Sequence, residues 1–366
     1  MLFCTSICAN YLPKARTLAY SIKKIMPTAK VVVCILERDI PVQKDSLNIF
    51  DDVILAKDME WDNFDSFMFR HTIVEGSTSV KGQLFLFLLK KYKDENKFVY
   101  LDPDVYVYSE FIELDELLNT YSVIIGPHLL YPGNIDMEIS SLAHGCYNLG
   151  FLAISRSENS YAFLTWWNNR LFNYCYDDKK KGLFTDQRWI DLAPCFFDIH
   201  ILKHHGYDFA TWSLLNAEME RNDEGMYFIN GDPLRFIHFS GVDGKVVDHA
   251  IKMWANKEKT YMFMTELYRD YLSCLEKNDK DSASKIKWSY NFYFNGSTIS
   301  KKARIIYREK CRYHINQNPF SLNNSKIYLY NLTTARPLKK LIFHIKQYGI
   351  KATLKKIMAK VSKCVK

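Results

Sequence analysis

Two carboxylates one residue apart, Asp102 and Asp104, follow directly on the apolar run Phe98-Val99-Tyr100-Leu101. Residues i and i+2 of an extended segment project to the same side, so both could approach one hard divalent cation. Mg²⁺ and Mn²⁺ favour such oxygen ligands and share their remaining coordination positions with phosphate oxygens. The same triplet also fits a strand closed by an Asp-Pro turn, because Pro fixes the backbone and Asp commonly starts turns. Spacing alone leaves both readings open.

The elements around this pair read as alternating strands and helices. A strand ending near Ile7 is followed by a helical pattern with Leu18, Ile22 and Ile25 that stops around Pro27. The run Lys30 to Leu36 then reads as a second buried strand ending at Glu37, completing a β-α-β unit. Helical periodicity from Val80 to Tyr92 leads into the strand at 98–101, and Ser122 to Ile125 is a further apolar stretch. Such alternation predicts a mainly parallel sheet with its ligand site at the carboxyl ends of the strands, where the Asp pair falls.

Three later segments stand out. Gly145 to Ile154 reads as a glycine-punctuated strand, either approached closely by a ligand or carrying an ordinary bulge. Thr185-Asp186-Gln187 looks like a helix start, with Thr185 or Asp186 as N-cap. Phe236 to Gly241 is a short apolar segment holding His238 ahead of a glycine turn. A lone histidine there is more often a satisfied core residue than a ligand.

Composition narrows the class. With 366 residues, 48% hydrophobic and 15% aromatic, the chain can bury a large ring-rich core and is not an intrinsically disordered regulator. Its nine cysteines are scattered without a CxxC pair, which indicates neither a disulfide framework nor a zinc site. No apolar run reaches the roughly 18 residues of a membrane span, and Met1 to Cys8 reads as a strand rather than a secretory signal. A cytoplasmic setting is the expectation. The net charge of +8 is not evenly spread: thirteen of the 49 Lys and Arg lie from Lys310 onward, and all 41 Asp and Glu lie before it. Residues 1–309 are therefore net acidic, with 36 basic groups to 41 acidic ones, which argues against nucleic-acid binding.

In order and spacing, Lys81, Tyr100-Leu101-Asp102-Pro103-Asp104, Tyr147-Asn148-Leu149-Gly150-Phe151, Asp186-Gln187 and Ile237-His238-Phe239-Ser240-Gly241 resemble the motifs of metal-dependent glycosyltransferases with the GT-A fold. The resemblance is to glycosyltransferase family 8 and related bacterial enzymes, and it spans about the first 248 residues. It implies an α/β, Rossmann-like catalytic domain over 1–248, a mostly helical extension over 249–335, and a basic amphipathic C-terminal helix over 336–366.

Carried over residue by residue, the resemblance implies that Asp102, Asp104 and His238 bind the metal, Mn²⁺ or Mg²⁺, with Asp102 shared with the donor ribose. Lys81 would contact the donor, Asn148 and Gly150 would line the donor-sugar pocket, and Thr5, Asn10, Tyr11 and Glu37 are candidates for the nucleoside. Gln187 would lie beneath the reacting sugar carbon, with Asp186 on a sugar hydroxyl. One departure is plain. The family's Lys-Pro-Trp-type element after the histidine is replaced by Val242-Asp243-Gly244-Lys245-Val246, leaving Lys245 as the candidate diphosphate contact.

The expected reaction moves a sugar from a nucleotide diphosphate sugar, expected to be a UDP-sugar, to a saccharide or lipid-linked saccharide. Because Gln187 is a poor covalent nucleophile, front-face retention is the expected course. The ten Lys and Arg from Arg336 onward, set among Leu and Ile at helical spacing, would hold the enzyme on an anionic membrane surface, on the inner face of the membrane; a helix packed on the domain is the alternative. A sugar nucleotidyltransferase also needs an acidic metal site, but Cys8-Ala9-Asn10-Tyr11 stands where its glycine-rich loop would follow the first strand. A non-catalytic membrane-surface protein is the remaining alternative, and it would be indifferent to loss of the Asp pair.

Overall fold

Strand β1 (Leu2–Ile7) is buried along its whole length, and the residues that follow it build the first crossover. Helix Leu12–Ile25 carries Pro13 in its first turn, where the missing N–H has no intrahelical partner to lose. Its Leu12, Ala15, Leu18, Ala19 and Ile22 recur at helical spacing and are all buried, while Lys23 and Lys24 occupy the last turn, where the helix dipole favours cations. The chain returns as β2 (Lys30–Ile35), parallel to β1 with Leu2 opposite Lys30 and Ile7 opposite Ile35. The computed structural model describes residues 1–241, 245–334, 349–352 and 354–358.

With β3 (Asp52–Leu55), β4 (Lys97–Leu101), β6 (Val123–Pro127), β7 (Tyr147–Ser155) and the short strand His200–Ile201, these form a seven-stranded sheet. Its order is His200–Ile201, β6, β7, β4, β1, β2, β3. Only β7 runs antiparallel to its neighbours; every other pair is parallel. This is the mixed α/β arrangement around a mainly parallel sheet expected from the sequence. One core layer joins Phe3, Val31, Val33 and Val99 of the sheet to Leu18 and Ile22 of the first helix. Each such side chain contributes about 1.5–3 kcal/mol on burial.

The topology concentrates chemistry on one edge. The carboxyl ends of β1, β4 and β6 point the same way, and because β7 is antiparallel its first residues, Tyr147 and Asn148, lie at that edge too. The Asp pair sits in a turn, with Val105 N donating to Asp102 O at 3.1 Å, rather than on the extended segment that the spacing argument assumed. Beyond it, β5 (Val105–Val107) pairs antiparallel with Phe236–His238, placing His238 opposite Val105.

The described residues fall into two compact units, Met1–Asp62 with Ile73–Ser289, and Asn63–Thr72 with the described residues from Tyr290 onward. The expected boundary at 249 therefore differs. Helix Glu258–Lys277 stays with the first unit because its Phe263, Met264, Leu267 and Tyr271 pack with Met219, Ile237 and Phe239. In the second unit, Phe69 meets Tyr293, Tyr307 and Phe320 in an aromatic cluster. Most of the basic helix expected over 336–366 lies outside the described residues; 349–352 and 354–358 are helical, with Ile350, Leu354 and Met358 exposed. No helix among the described residues is long and apolar enough to cross a membrane.

Candidate functional site

Register brings the three expected metal ligands together. His238 Nε2 lies 3.3 Å from Asp104 Oδ1 and 3.9 Å from Asp102 Oδ2, and one ligand atom from each residue falls within 4.8 Å of the others. Two carboxylate oxygens and one imidazole nitrogen suit Mn²⁺ or Mg²⁺, and the imidazole shifts the preference toward Mn²⁺. Burial by itself would raise the Asp104 pKa, but the His238 hydrogen bond and the nearby Lys14 ammonium bring it down to about 2. Burial opposes charging His238, yet its hydrogen bonds to Asp104 and Asp208 hold its pKa well above the usual value.

Gly150 explains how the imidazole fits. A Cβ there would stand 2.4 Å from His238 Cε1 and 2.8 Å from Asn148 Oδ1, so any larger residue would displace the ring. Its carbonyl also receives Asp102 N at 2.8 Å. Gly150 thus lies against the His238 ring and is not among the residues lining the cleft.

Lys81, the first residue of helix Lys81–Lys91, is buried with its Nζ 3.2 Å from Asp102 Oδ1, 3.0 Å from Asp186 Oδ2 and 2.8 Å from Leu149 O. It donates to the Leu149 carbonyl and forms ion pairs with both acids, so it ties two carboxylates together rather than offering an uncommitted point charge. Burial would lower its pKa, but Asp102 and Asp186 raise it well above the ordinary value and keep it charged. Asp186 is correspondingly held by Lys81 and does not cap a helix. Thr185 adopts a left-handed backbone with φ 44°, and the following short helix starts only at Ile190. The expected helix start at Thr185-Asp186 is corrected on this point: burying Asp186 against Lys81 outweighs the capping that its sequence suggested.

A cleft of about 720 Å³ opens onto this edge. Asn10, Tyr11, Lys81, Asp102, Asp104, Asn148, Asp186, Gln187 and His238 line it. Asn10 Oδ1 is buried without a hydrogen-bond partner, as expected of a group awaiting a ligand donor. Gln187 Nε2 donates to His144 O at 3.0 Å, which orients the amide and leaves Oε1 as its second polar atom. Two nucleoside candidates fall elsewhere. Thr5 is buried in β1 away from the cleft lining, and Glu37 spends its carboxylate on backbone amides, with Oε1 on Ala9 N at 2.9 Å and Oε2 on Ser289 N at 2.7 Å. Lys245 begins helix Lys245–Trp254, but its side chain lies outside the described residues.

Four residues here escaped the sequence argument. Lys14 Nζ stands 3.4 Å from Asp104 Oδ2 and over the Tyr11 ring; it follows β1 as Asn10 does, so position could have flagged it. His128 and Trp212 also line the cleft, Trp212 edge-on to His238. His128 follows the apolar run of β6, the same signal that marked Asp102. Asp208 lies in an irregular segment and gave no signal.

His128 Nδ1 donates to Gly145 O at 2.8 Å, and burial lowers its pKa to about 4. The unfolded chain takes up this proton near pH 6.5 and the folded chain only near 4, so stability is lost as pH falls between these values, at up to about 1.4 kcal/mol per pH unit. Urea unfolding of H128N should show a shallower loss over that range than the parent. An identical slope would contradict the assignment.

No protein-family model matches the chain. Two uncharacterised proteins of Bacillus subtilis are similar. YfnD is 26% identical over 173 residues, covering 46% of this chain and 54% of YfnD, and YfnF is 24% identical over 177 residues, covering 47% and 58%. The chain thus spans little more than half the length of these curated relatives. Among solved structures, similar folds include the galactosyltransferase LgtC with donor and acceptor sugar analogues, at 14% identity over 69% of this chain and 93% of that one, TM-score 0.39. The glycosyltransferase GlyE of Streptococcus pneumoniae matches at 14% identity over 80% and 66%, TM-score 0.44. Mouse xyloside xylosyltransferase 1 matches at 12% identity over 66% and 97%, TM-score 0.38.

Proposed function

We propose that this chain is a metal-dependent glycosyltransferase, taking a sugar from a nucleotide diphosphate sugar, with UDP as the expected nucleotide, to a saccharide or lipid-linked saccharide. The observation that carries the reading is the convergence of Asp102, Asp104 and His238 in a cleft that also holds Gln187 and the unpartnered Asn10 Oδ1. When bound there, Mn²⁺ or Mg²⁺ supplies Lewis-acid neutralisation of the charge that develops on the departing diphosphate. The chain supplies the rest. Asn10 and Tyr11 hold the nucleoside, Asn148 and Asp186 orient the sugar, and Gln187 Oε1 lies beside the reacting carbon. Since an amide is a poor covalent nucleophile, the sugar passes to the acceptor on the face the diphosphate leaves, with retention and with the leaving phosphate taking the acceptor proton.

A screen of nucleotide sugars for transfer and hydrolysis, run with Mn²⁺ and again with a chelator, tests this. Turnover is expected with Mn²⁺ alone, and Gln187→Ala should lower kcat by roughly 10²-fold with little change in KM, the signature of an interaction made mainly in the transition state. NMR of the product anomer checks retention separately. Chelator-insensitive turnover would refute the metal-dependent reading, and an inverted product would refute only the stereochemistry.

A further inference from the structure

His238 has two nitrogens and two acidic neighbours on opposite sides. Nε2 faces Asp104, while Nδ1 lies 3.1 Å from Oδ1 of Asp208, a side chain only 2% exposed. When Nε2 gives its lone pair to a cation, the ring's remaining proton sits on Nδ1, and Asp208 Oδ1 is already in place to accept it. We propose that Asp208 is the positioning residue of this metal centre, orienting His238 and setting the tautomer in which Nε2 can bind a divalent cation. The proposal rests on the metal reading above.

Several features hold the carboxylate in place. Asp208 itself has a left-handed backbone, φ 50°, uncommon outside glycine though tolerated by Asp. The conformation is locked by the next residue, since Phe209 bridges Ile237 in parallel and His238 N donates to Phe209 O at 2.8 Å. The histidine and its partner are therefore clamped to one another through their backbones. Gly150 bounds one side of the ring, and Trp212 meets it edge-on. Asp208 Oδ2 is buried without a hydrogen-bond partner, a cost that a purely space-filling residue would not carry. Carboxylates that orient metal-bound histidines typically change metal affinity by roughly 10- to 100-fold when removed.

The test uses the full chain stripped of metal and titrated with Mn²⁺, free ion being read by electron paramagnetic resonance. Asp208→Leu keeps the approximate shape without an acceptor, and Asp208→Asn keeps an acceptor without the charge. Asp208→Leu should bind Mn²⁺ roughly 10- to 100-fold more weakly than the parent and Asp208→Asn should fall between them, both with parental circular dichroism. In the Mg²⁺-loaded parent the His238 Nδ1–H proton should appear far downfield and should vanish in Asp208→Leu, a change that a role in packing alone would not produce. A folded Asp208→Leu protein within twofold of the parental Kd overturns the proposal. Should that variant not fold, Asp208→Asn decides, with a loss of less than threefold counting against. A parent that binds no Mn²⁺ is a separate result: it refutes the metal reading and the positioning role with it.

Discussion

Asp104→Asn should abolish metal-dependent sugar transfer, lowering kcat/KM by about 10³-fold or more, which corresponds to about 4 kcal/mol of lost transition-state stabilisation. Asp104 is the sharper choice of the two acids. Its carboxylate is largely buried and faces His238 and Lys14, whereas Asp102 also pairs with Lys81 and accepts from Tyr100 OH at 3.0 Å. Replacing Asp102 would mix loss of metal with loss of stability. The amide in Asp104→Asn preserves shape, so the unfolding midpoint should move far less than the activity. Retention of more than a third of the parental rate, with unchanged Mn²⁺ affinity, would contradict the assignment.

Lys81→Met should produce the largest change in stability. Removing one member of a buried ion pair leaves a charge without its partner and typically costs 3–5 kcal/mol; here a single ammonium serves both Asp102 and Asp186, the latter's side chain only 3% exposed. Differential scanning calorimetry should show a melting temperature lower by roughly 10 °C. Adding Asp186→Asn removes the stranded carboxylate, so the double variant should recover part of the loss. A Lys81→Met protein within about 1 kcal/mol of the parent, or a double variant no better than the single, would show that the network is not what holds this corner together.

The parallel sheet was legible because strands buried on both faces read as continuous apolar runs such as Val31 to Leu36 and Phe98 to Leu101. The Asp pair was legible for the same reason, standing at the end of such a run. What local pattern could not reveal was partners. Thr185-Asp186 has the composition of an N-cap, yet Asp186 is drawn into the interior by Lys81, more than a hundred residues earlier. Glu37 stands at a strand end like a ligand, but two distant backbone amides occupy its oxygens. Helix Glu258–Lys277 announces an apolar stripe without saying that it belongs to the first unit. His238 entered through resemblance alone, and Asp208 could not be seen at all until the strand Phe236–His238 set its register.

The most direct test of the central claim is calorimetric titration of the protein with UDP, once with Mn²⁺ and once with a chelator. If Asp102, Asp104 and His238 hold a cation that neutralises the diphosphate, UDP binding should be clear with Mn²⁺ and at least tenfold weaker with chelator, and Asp104→Asn should bind no more tightly with Mn²⁺ than the parent does with chelator. Equal UDP affinity with and without the cation, or undiminished cation-dependent binding in Asp104→Asn, would contradict it.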